Sequence, residues 1–290
     1  MAVQTRTIKR RIKSVKNTRK ITKAMELVAA SKMRKAISSV IGSRPYSKLA
    51  WETVKSLTRT MDTSVHPLLK RQSEVKRVLL VLITSDRGLA GGFNTNIIKK
   101  ARENIRTLGS GVDIQTICIG KRGADAMRRL QIPMMASFLE ITNNTKFEEV
   151  LPIGRMIINE FKKGSFDRVL VAYTDFVSAV TQTPLILELL PLGGDQEDQE
   201  SKQTQEPLFE PSPALVLDQL LPRLVETMVY QAILESSASE HSARMLAMRS
   251  ASDSAGEMLQ DLTFTFNQAR QAGITQEIAE ISSGKAALEG

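Results

Sequence analysis

The sequence predicts an α/β protein built as an antiparallel coiled coil of long N- and C-terminal helices with an α/β domain inserted between them. Three observations lead there. Residues 1–41 contain neither glycine nor proline, and after Pro222 the chain runs 68 residues without a proline. Both stretches exceed an ordinary globular helix. Between them, His66 to Pro213 holds eight of the ten prolines and eleven of the sixteen glycines, the punctuation of short strands and helices.

In the N-terminal arm, Ile8, Ile12, Val15, Ile21, Met25 and Val28 recur mostly at helical spacing, which predicts an amphipathic helix. The apolar steps falter between Lys16 and Lys20, where only Thr18 could fill the stripe, so a regular heptad seam is not expected to be continuous there. Gly42-Ser-Arg-Pro45 is a candidate bend, and the helical pattern resumes to about residue 60. This arm also carries the charge. Residues 1–35 contain twelve Lys or Arg and one acid, Glu26, a local +11 in a chain whose net charge is +9. A one-sided charge of this size suits a solvated face, an acidic partner, anionic lipid or nucleic acid, and the charge alone does not choose.

The middle of the chain reads as alternating elements: strand 77–84, helix 93–108, strand 112–119, helix 123–130, helix 146–163 and strand 168–173, with a further strand at 181–190. Such alternation implies a mainly parallel sheet in a Rossmann-like α/β domain. Residues 193–210 hold six acids and one lysine among many Gln and Ser, and read as an exposed acidic loop. From Pro213 a helical stripe of Leu217, Leu220, Leu221, Leu224, Val225 and Met228 begins, with Pro222 inside it as a possible start or kink. Beyond Ser236 the inward positions turn to Ala, Ser and Met, which permit close helix approach. The expected organisation is a coiled-coil arm at 1–60, a globular α/β domain at 61–212 containing the acidic loop, and a second arm at 213–290. If residues 213–285 were helical throughout, the rod would reach roughly 110 Å. A lone tip carrying Ile274, Ile278 and Ile281 would need a sheath.

No catalytic constellation stands out. Thr84-Ser-Asp-Arg-Gly-Leu-Ala-Gly-Gly-Phe-Asn94 follows a strand and precedes a helix, where phosphates are often held, but it is neither G-x-G-x-x-G nor a Walker A loop. A structural turn is expected, with Asp86 and Arg87 as a loop pair or a docking surface. There is no G-x-S-x-G elbow, and His66 and His241 have no metal-ligand spacing around them, so neither a cofactor nor a metal is expected. The single cysteine, Cys118, forms no internal disulfide. No signal-peptide h-region and no membrane span is read from the sequence. Two other classes stay open from the residues alone: a nucleotide-handling α/β enzyme, separable by ATP affinity, and a basic nucleic-acid-binding coiled coil, separable by salt-sensitive DNA binding.

The motifs are more specific. Ile21-Thr-Lys-Ala-Met-Glu-Leu-Val-Ala-Ala-Ser-Lys-Met-Arg-Lys35, Thr84 to Asn94, Glu240-His-Ser-Ala-Arg-Met-Leu-Ala-Met-Arg249 and Ala269-Arg-Gln-Ala-Gly-Ile-Thr-Gln-Glu277 together resemble the γ-subunit family of F-type ATP synthases, end to end. That resemblance implies a central rotor shaft, present in one copy in a hetero-oligomer. Its partners would be the α and β subunits of the catalytic ring, the ε subunit and the membrane c-ring. Torque from the membrane would impose asymmetry on the three catalytic sites. The resemblance also implies no catalytic site of its own, no direct nucleotide binding and no nucleic-acid partner.

By resemblance, Met25 matches a methionine close to the acidic segment of β, with Lys23, Lys32, Arg34 and Lys35 adding positive charge to the same arm. Arg270, Gln271 and Thr275 match positions that meet a loop of β, and Leu208 and Phe209 match the region approaching the c-ring. The cysteine-bearing regulatory insertion of the chloroplast form is missing, so thiol control is not expected and Cys118 should be a buried strand residue. Pro222 departs from the family pattern. With no transit peptide visible, the expected location is peripheral, on the cytoplasmic face of a bacterial plasma membrane.

Overall fold

The computed structural model describes residues 2–60, 66–72, 74–109, 111–143, 145–192 and 213–289. The acidic stretch 193–210, with Leu208 and Phe209, lies outside them. The elements in chain order are α1 (Ala2–Thr60), β1 (Arg77–Ile83), α2 (Phe93–Leu108), β2 (Asp113–Ile119), α3 (Lys121–Arg129), β3 (Met134–Phe138), α4 (Phe147–Lys162), β4 (Arg168–Phe176), β5 (Gln182–Leu190) and α5 (Pro213–Glu289). They form two compact units, one of Met1–Ala29 with Met245–Gly290 and one of Ala30–Arg244.

The first unit is an antiparallel helix pair. Phe266, Ala269 and Gly273 of α5 share a groove with Thr5, Arg6 and Lys9 of α1, while Gly256 faces Arg19. On α5 the more buried positions are Met245, Met248, Ser252, Ala255, Leu259, Leu262, Phe266, Ala269 and Gly273, an unbroken alternation of three- and four-residue steps. On α1 the more buried positions are Ile8, Ile12 and Val15, then Thr22, Glu26 and Ala29. Every position from Lys16 to Ile21 is exposed, so the buried seam is interrupted where the sequence pattern falters and resumes at Thr22. In that interval the exposed Arg19 lies against a glycine: a Cβ on Gly256 would stand 3.4 Å from Cζ of Arg19. The apolar stripe also shifts phase. Ile21, Met25 and Val28, expected to face inward with Ile8 and Ile12, are 55%, 40% and 58% exposed, whereas Thr22 and Ala29 are buried. Heptad phase held constant through Arg19 turns the large residues outward.

The second unit is a three-layer α/β sandwich. Its sheet has the order β3-β2-β1-β4-β5, parallel except for the antiparallel β4–β5 pair. β1 reads RVLLVLI because it is central and covered on both faces. Val78, Leu80 and Leu82 meet α2 and α3 through Ile97, Ala101, Ala124 and Met127. Leu79, Val81 and Ile83 meet α4 and α5 through Ile153, Ile157, Leu221, Val225 and Val229, with Ala50 and Val54 of α1 in the same core. β3, five residues without a fully buried position, is too short and too exposed to have stood out from the sequence.

Both long helices pass their prolines. Pro45 stands inside α1 and Pro222 inside α5. The candidate bend at Gly42–Pro45 stays helical because its neighbours are tied across to α5: the Ser43 hydroxyl donates to Gln231 Oε1 at 2.6 Å and Arg44 pairs with Glu235. Pro222 sits between the buried Leu221 and Leu224, where tertiary packing holds the helix.

One glycine is indispensable to the sheet. Gly120 has φ of +96°, and a Cβ there would lie 2.2 Å from the carbonyl oxygen of Thr84. Gly120→Ala is expected to destabilise the second unit by more than about 3 kcal/mol, read as a lowered urea midpoint or as loss of soluble protein.

Candidate functional site

Among the described residues, those singled out as partner contacts fall on exposed helical surface. In the first unit, Met25 lies on the outward stripe with Ile21 and Val28, and Lys23 is exposed but paired with Glu26 at 2.9 Å. Arg270, Gln271 and Thr275 are exposed on α5. Thr275 Oγ1 donates to the carbonyl of Gln271 at 3.0 Å, and Arg270 borders a groove of about 540 Å³ with Arg6, Lys9, Glu277 and Glu280. The two groups are not brought together. The α1 side of the Arg270 groove ends at Lys9, more than four helical turns from Met25. In the second unit, Arg34 and Lys35 are exposed, while Lys32 Nζ donates to Asn143 Oδ1 at 3.3 Å.

A second constellation lies where the strands end. β4 pairs with β1 only as far as Ala172, and past that point Thr174 and Phe176 have no strand on that side. Side chains from the helices take its place. The Thr174 N–H donates to Ser236 Oγ at 3.1 Å, the Ser239 hydroxyl donates to the Thr174 carbonyl at 3.2 Å, and the Phe176 N–H donates to Glu235 Oε2 at 3.2 Å. Arg44 of α1 donates to the Phe176 carbonyl at 2.6 Å and grips both oxygens of Glu235 at 2.9 Å. Pro184, opposite Thr174 on β5, costs no ladder bond, because Thr174 turns its backbone groups toward α5.

This is the switch point of the sheet, between β1 and β4, where doubly wound folds bind ligands beyond the strand ends. α5 occupies it. Further along the helix, the Ser237 hydroxyl donates to the Thr142 carbonyl at 2.7 Å, and Arg244 donates to the carbonyls of Gly88 and Arg87 at 3.3 and 3.2 Å. The turn after β1 is thereby held by its backbone. Asp86, expected as a loop partner of Arg87, instead accepts the backbone N–H groups of Lys121 and Glu140 at 3.0 and 2.9 Å.

The electrostatics follow from burial. Desolvation raises the Glu240 carboxyl above its ordinary pKa, opposed by Arg244 at 2.7 Å. Desolvation together with the charges of Arg244 and Lys32 pushes His241 down to about 4. Desolvation likewise raises the Cys118 thiol to about 11, in agreement with its place as a buried β2 residue.

The family model described as ATP synthase matches residues 4–288. The ATP synthase gamma chain of Heliobacterium modesticaldum is 43% identical over 289 residues, 98% of each chain, and that of Xanthomonas oryzae pv. oryzae is 41% identical over 284 residues. The chain belongs to the ATP synthase γ-chain family. The structural comparisons agree. A central stalk and c-ring structure of the Tetrahymena thermophila mitochondrial ATP synthase contains a chain 26% identical, with a TM-score of 0.62 over 80% of this chain and 99% of that one. A Euglena gracilis mitochondrial ATP synthase structure, described as OSCP, F1 and c-ring, shares the fold at a TM-score of 0.73 and 21% identity, over 99% of this chain and 95% of that one.

For this γ chain, sequence reasoning missed the Arg44–Glu235 node. Its two members are 191 residues apart, and each looks like one charge on a helix surface. The only available signal was a run of Ser and Glu at 235–242 in a helix too apolar on either side to be solvent-facing there.

Because the folded His241 is depressed to about 4 from an ordinary 6.5, the unfolded chain takes up a proton first as pH falls. Its contribution is full above pH 6.5 and declines toward pH 4. Relative to His241→Gln, wild type should lose about 3 kcal/mol over that window, measured by urea unfolding at each pH. The raised Glu240 acts in the opposite direction and is common to both proteins.

Proposed function

We propose that this γ chain is the central rotor shaft of a proton-translocating F-type ATP synthase. It carries torque from a membrane c-ring to a ring of α and β subunits and holds their three catalytic sites in different states during ATP synthesis or hydrolysis. The observation that carries this reading beyond family membership is the first unit: a bare helix pair whose α5 tip passes the end of the shared seam, with Ile274, Ile278 and Ile281 exposed at 50%, 59% and 73%. Such a pair buries little of its own apolar surface and suits an enclosing sheath. No described helix is long and apolar enough to cross a membrane. In this reading the chain sits peripherally, on the cytoplasmic face of a bacterial plasma membrane, in one copy, with ε beside the α/β domain.

In this reading the chemistry belongs to the ring and not to this chain, which binds neither nucleotide nor cofactor. The switch-point crevice filled by Glu235, Ser236 and Ser239 supports that assignment. Met25 and its neighbours Lys23, Lys32, Arg34 and Lys35 face an acidic segment of β, and Arg270, Gln271 and Thr275 face a β loop. Leu208 and Phe209 approach the c-ring. Coupling arises because each β site meets a different side of the shaft, so contact free energies differ among the three states.

Tagged chain is expected to co-purify with α and β subunits from detergent-solubilised membranes, and failure to do so removes the rotor reading. Met25→Lys should leave assembly and ATP hydrolysis intact while lowering proton pumping per ATP several-fold. An unchanged pumping ratio would remove Met25 from the contact.

A further inference from the structure

The polar constellation at the end of β4 has more directional bonds than packing there requires. From Leu217 to Ile233, α5 is held to the sheet by large apolar residues, including Leu221, Leu224, Val225 and Val229. From Glu235 to Ser242 the buried residues are mostly Ser, Glu and His. Apolar contact is non-directional, so it fixes the distance of a helix from a sheet better than the angle about the helix axis. Hydrogen bonds from successive turns to fixed backbone groups set that angle. A bidentate guanidinium–carboxylate pair adds two parallel bonds with planar geometry.

Here one node joins three elements. Glu235, 5% exposed, accepts from Arg44 Nε and Nη2, from Gln231 Nε2 at 2.7 Å and from the Phe176 N–H. Arg44 also holds the Phe176 carbonyl. Ser236 and Ser239, one turn apart on α5, take the N–H and the carbonyl of the same residue, Thr174. Rotating α5 by one residue position, about 100°, would break every one of these bonds. Neither long helix can turn against β4 without breaking the node.

We propose that Arg44, Glu235, Ser236 and Ser239 form the torque key of the shaft, the set of bonds that converts rotation of the α/β domain into rotation of α1 and α5. This rests on the rotor reading. The four are positioning residues: they touch no nucleotide, and act by keeping the α1 and α5 segments of the second unit in angular register with the sheet. During hydrolysis, losing the key lets the helices turn while the domain lags, so hydrolysis continues and fewer protons move per ATP.

The test uses the assembled membrane complex in inverted vesicles, with ATP hydrolysis and ATP-driven proton uptake measured on the same preparation. Arg44→Met and, separately, the Ser236→Ala/Ser239→Ala pair should each keep hydrolysis near wild type and lower the ratio of uptake to hydrolysis by about five-fold or more. Arg44→Lys, which keeps the charge and loses the fork, should fall between. Ile233→Val trims the apolar packing of the same helix and should leave the ratio at the wild-type value, separating the key from general loosening. The proposal is overturned if complexes holding a full complement of the serine-pair variant pump at the wild-type ratio, or if Ile233→Val lowers the ratio as much. Should Arg44→Met prevent assembly, the serine pair decides. Failure of the rotor reading looks different, because wild-type chain would then bring down no α and β subunits at all.

Discussion

Past Ala172, β4 has backbone donors and acceptors and no β1 partner to satisfy them. Much of the second unit follows from that vacancy. An unpaired edge in a buried place is costly, because each orphaned backbone group forfeits its hydration. The groups that fill it must come from α5, so α5 has to be polar where it is most buried. That accounts for Glu235-Ser-Ser-Ala-Ser-Glu-His-Ser242, a run that would otherwise be out of place inside a core. The opposite wall is closed too, with the Thr84 N–H on the Ile119 carbonyl and the Gly123 N–H on Thr84 Oγ1.

A buried carboxylate is an expensive way to fill a crevice. Well-packed apolar residues of similar volume are often at least as stable as a buried ion pair. α5 divides the two tasks along its length. Leu217 to Ile233 supplies adhesion, each fully buried Leu, Val or Ile worth about 1.5–3 kcal/mol, and Glu235 to Arg244 supplies orientation. The cost of burying Glu235 is offset by four donors, which use both of its oxygens.

Local pattern made most of the fold legible, because the elements declare themselves over short windows. β1 is a continuous aliphatic run, and α2 begins and ends at the residues its flanking glycines indicate. What the sequence hid was phase and pairing. Ile21, Met25 and Val28 sit at helical spacing and read as an inward stripe, yet the true seam passes one residue further on, through Thr22, Glu26 and Ala29. That choice is made by Gly256, which accommodates Arg19 from more than two hundred residues away. β3 and the Arg44–Glu235 pair were hidden for the same reason, since neither has a local signature apart from the tertiary context that stabilises it. The candidate contact residues came from resemblance to a family, and the structure shows those on the two long helices exposed without showing what covers them.

The phase of the seam has an energetic consequence. Toward α1, the α5 half of the first unit presents the small residues Ser252, Ala255, Gly256, Ala269 and Gly273 along with Met248, Leu259, Leu262 and Phe266, whereas Ile21, Met25, Leu27, Val28, Met258 and Phe264 point away from the pair, all at least 40% exposed. An ordinary two-stranded coil keeps its large residues in the seam and polar ones outside, whereas this pair divides its large residues between the seam and the outer face. With aliphatic burial worth about 1.5–3 kcal/mol per side chain, a substantial part of the burial free energy available to this helix pair lies on its outer face. A helix pair arranged this way gains from being enclosed as well as from its own association. A surrounding ring can therefore bias its orientation, and be biased by it, through contacts that differ from side to side.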